Sequence, residues 1–211
     1  MEEVLLFGGA FNPVSKAHLD NAYFAMSKLN LKHVIFMPSK SKYILNDEKK
    51  DFSFSEDERL KMLKLLEKDN KWMIVSNLEL ESKEQPRTYF TLKNLLEKGY
   101  KAKLLFGSDW LLNLETKWKY VDEIGKEFSF VVMKRNNDDL ESLFQNNDFL
   151  KKRRDYFTFI ECKDEYQDIS SSKIRNLIKG NKLKEAKKYL PEEIYSYLKE
   201  REVRENEKHL D

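Results

Sequence analysis

Short apolar runs alternate along this chain with segments whose apolar residues recur at helical spacing. The first run, Val4 to Phe7, stops at Gly8-Gly9, and the second, His33 to Met37, stops at Pro38. Between these runs, the apolar residues from His18 to Leu29 recur at the spacing of a helix. A strand, a helix and a strand in this order predict two parallel strands joined by a crossover helix.

The same alternation continues to the end of the chain and predicts the fold class. Further strands are predicted at Trp72 to Val75, Ala102 to Phe106, Phe128 to Met133 and Phe157 to Glu161. Further helices are predicted at Ser55 to Glu67, Phe90 to Lys98, Leu140 to Asp148, Ser171 to Ile178, Leu183 to Leu190 and Pro191 to Arg201. The pattern predicts an α/β fold: a Rossmann-like open, mostly parallel sheet with helices on both faces and a small C-terminal helical subdomain.

The length of 211 residues predicts one domain with a C-terminal appendage. We expect residues 1–165 to form the α/β domain and residues 166–201 to be the C-terminal helical part of the same domain. The charged residues 202–211 are expected to be a frayed tail. The polar, Lys-rich stretch from Ser39 to Phe54 is expected to be a loop, either a solvated surface loop or a mobile flap over a phosphate site.

The charge and cysteine content exclude some classes of protein. The chain has 39 Lys and Arg against 37 Asp and Glu, and a formal net charge of +2. This balance argues against a dedicated nucleic-acid binder, but it permits a small anionic ligand. The single cysteine, Cys162, cannot form a disulfide within the chain, and we interpret it as a partly buried thiol. No apolar run approaches the roughly 20 residues that cross a bilayer, and the acidic start is unlike a signal peptide, so we expect a cytoplasmic protein without a membrane partner.

The stretch from Gly8 to His18 contains the first candidate site, because it joins the first strand to the first helix. Its glycines would let the backbone approach a ligand closely. The helix that follows presents N–H groups and the positive end of its dipole, which favour an anion. Ser15 and His18 are three residues apart, so the hydroxyl and the imidazole can point toward the same phosphates. Taken alone, this stretch also fits an ordinary tight turn with a structural histidine.

A second candidate stretch, Ile169 to Arg175, lies at another predicted junction between a strand and a helix. Its serines can cap the helix, and the N–H groups of the helix can bind phosphate. Arg175 adds a cation that suits phosphate oxygens. Taken alone, this stretch also fits an ordinary N-cap with a surface arginine.

Together the two stretches resemble the hallmark motifs of the nucleotidyltransferase superfamily with the His-x-Gly-His motif, and most closely those of the bacterial nicotinate-mononucleotide adenylyltransferases. The family's first motif usually reads Gly-Gly-(Thr/Ser)-Phe-(Asp/Asn)-Pro-x-His-x-Gly-His, and its second reads Ile-Ser-Ser-Thr-x-Ile-Arg. This chain departs from them at Ala10, Ser15, Ala17 and Ser172, which replace Thr or Ser, the first His, Gly and Thr. A hydroxyl at position 15 resembles the Thr of pantetheine-phosphate adenylyltransferases, so we expect activity to survive with altered contacts to the ATP phosphates.

Four shorter stretches support the resemblance, which runs in order from about residue 3 to residue 200. They are Arg59 with Met62; Val75-Ser76 with Glu79-Leu80, Thr88 and Thr91-Leu92; Gly107-Ser108-Asp109 with Leu111, Leu114 and Trp118; and Val131-Val132 with Arg135. The family's His-Lys pair after the second strand has no clean match, and Lys40 and Lys42 are the candidates for it. Several matches in the same order are far more specific than any one of them.

The resemblance implies an enzyme that joins ATP to nicotinate mononucleotide, giving deamido-NAD and pyrophosphate, with Mg²⁺ accompanying the ATP. The implied catalytic residues are His18, Ser15 and Arg175. The implied ATP-binding residues are Gly8, Gly9, Ala10, Phe11, Gly107, Asp109, Ser171 and Ser172. The implied mononucleotide-binding residues are Asn12, Thr88, Trp118 and Lys42, where Trp118 either stacks near the pyridine ring or belongs to the core. No residue is implied as a metal ligand.

The sequence leaves several alternatives open. The acceptor could instead be nicotinamide mononucleotide, phosphopantetheine or, with CTP, a phospho-alcohol. Ser15 and Ala17 also fit a non-catalytic nucleotide sensor that kept the fold and lost turnover. The expected partners are small-molecule substrates, and the chain could form a homo-oligomer.

Overall fold

The computed structural model describes residues 1–46, 54–134, 138–161 and 169–208. The strands are β1 (Glu2–Gly9), β2 (Val34–Pro38), β3 (Met73–Val75), β4 (Tyr100–Gly107), β5 (Phe130–Lys134) and β6 (Phe157–Glu161). Within the described residues these six strands form one sheet in the order β3-β2-β1-β4-β5-β6, and every neighbouring pair is parallel. Each predicted strand is confirmed, and the sheet is wholly parallel where the sequence predicted a mostly parallel one.

Helices connect the strands and cover both faces of the sheet. They are α1 (Lys16–Lys28), α2 (Ser41–Asn46), α3 (Glu56–Asp69), α4 (Leu78–Glu81), α5 (Thr88–Glu97), α6 (Leu114–Lys117), α7 (Val121–Glu127), α8 (Leu140–Asn146), α9 (Asp148–Lys151), α10 (Ser171–Lys179), α11 (Leu183–Ala186) and α12 (Glu192–Lys208). Short 3-10 turns lie at Ser108–Asn113, Arg154–Tyr156 and Lys187–Tyr189. As predicted, Ser55 caps α3: its side chain accepts a hydrogen bond from the Glu58 N–H in a capping box.

Alternate residues of each strand pack on opposite faces of the sheet. In β1, Leu5 and Phe7 contact the layer that includes α1, α3 and α12, whereas Val4 and Leu6 contact the layer that includes α5, α7 and α8. All four side chains are buried. Because parallel strands of this kind are buried on both faces, their sequences are continuous apolar runs, which is why the sequence predicted them well.

The helices after β6 pack on the same core as the rest of the chain. The cluster that contains Leu5 also contains these buried residues of the last three helices: Ile174, Leu183, Ile194 and Leu198. An ion pair of 2.7 Å between Arg201 Nε and Glu58 Oε1 joins α12 to α3. The helix α12 continues to Lys208. Residues 202–208 are therefore helical, whereas the sequence predicted that they belong to a frayed tail. Within this helix Arg204 and Glu200 form an ion pair of 3.8 Å at a spacing of four residues.

The stretch from Ser39 to Phe54 is not only a loop, because the helix α2 lies in its first half. Ile44 of α2 is fully buried. The Ser41 N–H donates a hydrogen bond to Glu56 Oε1 of α3 at 2.7 Å. These contacts stabilise a helix of six residues that is too short to form from its own sequence, so the local pattern could not predict it. Residues 47–53 of the stretch lie outside the described residues.

No helix in the described part of the chain is long and apolar enough to span a membrane. The sequence predictions for Arg135, Cys162 and residues 209–211 lie outside the described residues.

Candidate active site

A cavity of about 840 Å³ opens at the carboxyl ends of the strands. Its wall contains the ends of β1 and β4, which are neighbours in the sheet. The chain leaves β1 toward β2 on one side and leaves β4 toward β5 on the other side, and ligands of open α/β sheets bind at such a switch point. Small-molecule sites span roughly 300–1,000 Å³, so this cavity is large enough for a ligand of nucleotide size.

The loop between β1 and α1 forms part of the cavity wall. Its lining residues are Gly8, Gly9, Ala10 and Phe11. A Cβ atom added at Gly8 would meet no protein atom within 4 Å, so the glycine leaves its backbone open to a ligand. Phe11 has a φ of 45°, in the left-handed region that bulky residues rarely adopt. Its buried ring packs against Phe7 and Phe36 at centroid distances of 5.4 and 5.5 Å, and this packing stabilises the strained backbone.

Ser15 is the N-cap of α1 and contacts His18 through both its backbone and its side chain. Its Oγ accepts a hydrogen bond from the His18 N–H at 3.4 Å, and its N–H donates to His18 Nδ1 at 3.1 Å. Ser15 Oγ and His18 Nδ1 are 2.7 Å apart. The sequence predicted that both side chains point toward one ligand. Both line the cavity, but the fully buried Ser15 hydroxyl is directed at the imidazole, so His18 is the better placed of the two to meet a ligand.

Arg59 of α3 is fully buried and joins two loops at the carboxyl end of the sheet. Its NH1 donates to the carbonyl oxygen of Ala10 at 2.8 Å, and its NH2 donates to that of Ser39 at 2.6 Å. Its Nε donates to the carbonyl oxygen of Phe54 at 3.2 Å. The planar guanidinium therefore fixes the loop after β1 against the loop after β2. The sequence identified Arg59 only as part of a family resemblance, because these contacts are formed in the folded chain.

Arg175 of α10 contacts the same loop after β1. It is 5% exposed, and its NH1 donates to the carbonyl oxygen of Asn12 at 3.0 Å. Its NH2 donates to Ser172 Oγ at 3.0 Å. Arg175 and Ser172, which the resemblance implies as catalytic and ATP-binding residues, line the cavity. Arg175 also fixes the backbone of the loop, which the sequence did not predict.

A hydrogen bond joins the two sequence motifs directly. Ser171 Oγ donates to the carbonyl oxygen of Pro13 at 3.0 Å, across 158 residues of sequence. The N-cap of α10 is Ser170, whose side chain accepts from the Lys173 N–H at 3.1 Å. The first turn of α10 therefore lines the same cavity as the Gly-Gly loop, and both present N–H groups of the kind that bind phosphate.

Asn12, which the resemblance implies as a mononucleotide-binding residue, is not part of the cavity wall. Its side chain is fully buried, and its Oδ1 accepts a hydrogen bond from the Phe54 N–H at 2.9 Å. The side chain thus joins the loop after β1 to the residue that precedes the cap of α3. Sequence spacing could not predict this, because the donor lies 42 residues away.

The end of β4 supplies aromatic and acidic side chains to the cavity. Gly107 and the exposed Asp109, which the resemblance implies as ATP-binding residues, line it. The Trp118 ring lies 5.9 Å from that of Phe106 and 6.5 Å from that of Trp110, centroid to centroid. Trp118 therefore packs on the core and lines the cavity at once, so the two sequence interpretations are not exclusive. Trp110, which directly follows Asp109, also lines the cavity and was not predicted from the sequence.

A polar network that the sequence did not predict joins the end of β2 to the segment before α5. Gln85 Oε1 accepts from the Lys40 N–H at 2.8 Å, and Gln85 Nε2 donates to Glu79 at 2.5 Å. Glu79 also accepts from Thr91 Oγ1 at 2.9 Å. Burial raises the pKa of Glu79 above its ordinary value, and the two hydrogen bonds oppose part of that rise. Lys40 Nζ donates to the carbonyl oxygen of Leu80 at 2.6 Å, so this lysine connects two segments of the cavity wall.

Cationic side chains line much of the remaining wall. Lys42 and Thr88, which the resemblance implies as mononucleotide-binding residues, line the cavity. Four further cations of the wall were not predicted from the sequence: Lys83, Arg87, Lys117 and Lys119. Three of them are sequence neighbours of Thr88 or Trp118, which is the signal that could have identified them. Positive charge concentrated in a cleft attracts anionic ligands.

Apart from Asn12, every residue predicted to bind substrate or catalyse lines this cavity. Residues at the carboxyl ends of the strands β1, β2 and β4 meet there with residues of α10, although these segments are far apart in sequence. Among the described residues, no group of three or more His, Cys, Asp or Glu is arranged to hold a metal ion.

Comparisons with known proteins give a family model and relatives that match most of this chain. The Cytidylyltransferase-like family model matches residues 6–177. A Clostridium botulinum (strain Okra / Type B1) protein named "Probable nicotinate-nucleotide adenylyltransferase" is 35% identical over 199 residues, which cover 92% of this chain and 94% of that protein. A protein of Endomicrobium trichonymphae with the same name is 33% identical over 200 residues, covering 94% and 96% of the two chains.

A solved structure gives an independent comparison of the fold. The Plasmodium falciparum nicotinic acid mononucleotide adenylyltransferase complexed with NaAD superimposes with a TM-score of 0.70 at 20% identity. The match covers 95% of this chain and 96% of that chain. At this identity the likeness shows a shared fold.

We predict that Arg59→Lys lowers the free energy of unfolding by about 3 kcal/mol, because one ammonium group cannot replace the guanidinium hydrogen bonds to three buried carbonyl groups. Urea denaturation measures this change. Arg204→Lys is the matched control: Arg204 is exposed on α12, and the same replacement there should change stability by less than about 0.5 kcal/mol. Equal, small effects of the two replacements would contradict the role assigned to Arg59.

Proposed function

Because the chain belongs to the nicotinate-nucleotide adenylyltransferase family, it is a nucleotidyltransferase, and we propose that it transfers AMP from ATP to nicotinate mononucleotide. The products are deamido-NAD, a dinucleotide of NAD biosynthesis, and pyrophosphate. The observation that carries this proposal is the hydrogen bond from Ser171 to Pro13, which holds the two phosphate-binding motifs together in one cavity.

The reaction is one in-line displacement at phosphorus. An oxygen of the mononucleotide's 5′-phosphate attacks the α-phosphorus of ATP and forms the new P–O–P bond. The bond from the α-phosphorus to the oxygen that bridges to the β-phosphate breaks, and its electron pair leaves with pyrophosphate. A phosphate dianion is already an adequate nucleophile, so the site needs neither a strong base nor a protein nucleophile. Its task is to align two anions and to stabilise the charge that develops between them.

The loop after β1 and the first turn of α10 suit the ATP half of the reaction. Both offer N–H groups to phosphate oxygens, and the dipole of each adjoining helix favours negative charge. His18 donates a hydrogen bond to the phosphates and stabilises the transition state. Ser171, Ser172 and Arg175 support the β- and γ-phosphates, and Asp109 suits the hydroxyls of the ribose.

The wall that contains Thr88, Trp118 and Lys42 suits the mononucleotide half. The half-buried Trp118 ring offers a surface on which a pyridine ring can stack. Four further cations line this wall: Lys83, Arg87, Lys117 and Lys119. Between two acceptors, their positive charge favours the one that carries more negative charge. They therefore favour nicotinate mononucleotide over nicotinamide mononucleotide, which lacks the ring carboxylate.

Mg²⁺ would accompany ATP and neutralise its phosphates when bound. The carboxylates that line the cavity are Glu79, Glu84 and Asp109, and they do not form a cluster that would hold a metal by itself. This donor set fits an ion that is held by the phosphates of ATP rather than by a protein cage.

We predict that the protein releases pyrophosphate from Mg-ATP fastest with nicotinate mononucleotide. Its kcat/KM should exceed that for nicotinamide mononucleotide by roughly tenfold or more, the ratio that about 1.4 kcal/mol of added charge interaction provides. A coupled pyrophosphate assay with both mononucleotides and with phosphopantetheine measures this. Tight ATP binding without release for any acceptor would overturn the proposal in favour of a nucleotide sensor, and fastest release with phosphopantetheine would reassign the acceptor.

Replacing His18 by Ala should lower kcat by roughly 100- to 1,000-fold, as the loss of one transition-state donor does in other enzymes. His33→Ala is the control: His33 pairs with Glu2 at the start of β2, away from the cavity wall, so turnover should be unchanged. Steady-state kinetics of both variants decides the role of His18. Near-normal turnover of His18→Ala would remove it from the catalytic machinery.

A further inference from the structure

The contacts between Ser15 and His18 determine which nitrogen of the imidazole carries the proton. The Ser15 N–H donates to Nδ1 at 3.1 Å, and a backbone N–H can only donate. Nδ1 must therefore present its lone pair, which it cannot do in the imidazolium form. A neutral ring whose Nδ1 accepts carries its proton on Nε2.

The Ser15 hydroxyl reinforces this tautomer. Its oxygen accepts from the His18 N–H at 3.4 Å and lies 2.7 Å from Nδ1, so the hydroxyl proton is directed to the same lone pair. Ser15 is fully buried, which keeps water from competing for these bonds. The rings of Phe7 and Phe11 contact the imidazole at centroid distances of 5.9 and 5.4 Å and limit its rotation.

We propose that Ser15 is a positioning residue that holds His18 as a neutral imidazole with its proton on Nε2, so that His18 serves the reaction as an uncharged hydrogen-bond donor. This inference rests on the proposed nucleotidyl transfer for its catalytic part. The proton stays on Nε2 throughout, because the attacking phosphate needs no base and pyrophosphate leaves without a proton from the ring. Ser15 acts through His18 and does not touch the reacting atoms.

His33 provides an internal reference for the tautomer. Its Nδ1 lies 2.5 Å from Glu2 Oε1, and an ionised carboxylate can only accept, so Nδ1 of His33 carries a proton. The chain has 3 histidines, so each side-chain signal can be assigned by loss in a single variant. The two rings should therefore show opposite states of Nδ1 in one spectrum.

The first test is a ¹⁵N–¹H correlation spectrum of the histidine side chains of the full chain, with His18 assigned from His18→Ala. The expected result is an unprotonated Nδ1 and a protonated Nε2 for His18 at neutral pH. A protonated Nδ1 would overturn the proposal. This measurement requires no turnover, so a protein that is inactive toward every acceptor would refute the proposed function while the spectrum still decides the state of His18.

The second test compares the loss of two helix caps. Ser15→Ala removes the hydroxyl from the N-cap of α1, and Ser55→Ala removes it from the N-cap of α3, which has the same capping-box arrangement. Each should lower stability by a similar, small amount. Only Ser15→Ala should broaden or shift the His18 ring signals and lower kcat, by roughly tenfold, with little change in the KM for ATP.

Ser15→Thr keeps a hydroxyl that can cap the helix and contact Nδ1, so it should restore both the spectrum and kcat. A Ser15→Ala variant with wild-type kcat and an unchanged His18 spectrum would contradict the proposal. Equal losses of kcat in Ser15→Ala and Ser55→Ala would also contradict it, because they would reduce Ser15 to an ordinary helix cap.

Discussion

The loop between β1 and α1 depends on two buried guanidinium groups that bind its carbonyl oxygens. Arg59 donates to Ala10 from α3, and Arg175 donates to Asn12 from α10. A buried carbonyl group without a donor and a buried cation without acceptors are both costly, so each of these bonds satisfies two groups that the interior would otherwise disfavour. These bonds therefore stabilise the conformation of the loop and join it to the helices α3 and α10.

This constraint explains how one cavity can accept two anionic substrates. The fixed loop brings the N-terminal turns of α1 and α10 to the same cavity, where their N–H groups and His18 can act as donors. None of these groups has to form a covalent bond with substrate. The rate enhancement that such a site provides comes from alignment and from donors that are already oriented before the reaction begins.

The parts of this molecule that could be predicted from sequence are those that local patterns determine. The buried strands were predicted because both of their faces are apolar, and the Gly-Gly loop and α10 because short motifs carry them. The contacts of Ser15 with His18 Nδ1 and of Asn12 with the Phe54 N–H were not predicted, because they form only in the folded chain. The hydrogen bonds that join Lys40, Gln85 and Glu79 were not predicted for the same reason, since these residues come from separate segments that only the folded chain brings together.

The most direct test of this account is the stereochemical course at the α-phosphorus. One diastereomer of the α-phosphorothioate analogue of ATP would be reacted with nicotinate mononucleotide, and the configuration of the dinucleotide product would be determined by ³¹P NMR. A site that only aligns two anions performs a single in-line displacement and inverts the configuration. Retention would require two displacements through a covalent enzyme intermediate, and it would contradict the claim that this cavity supplies donors rather than a nucleophile.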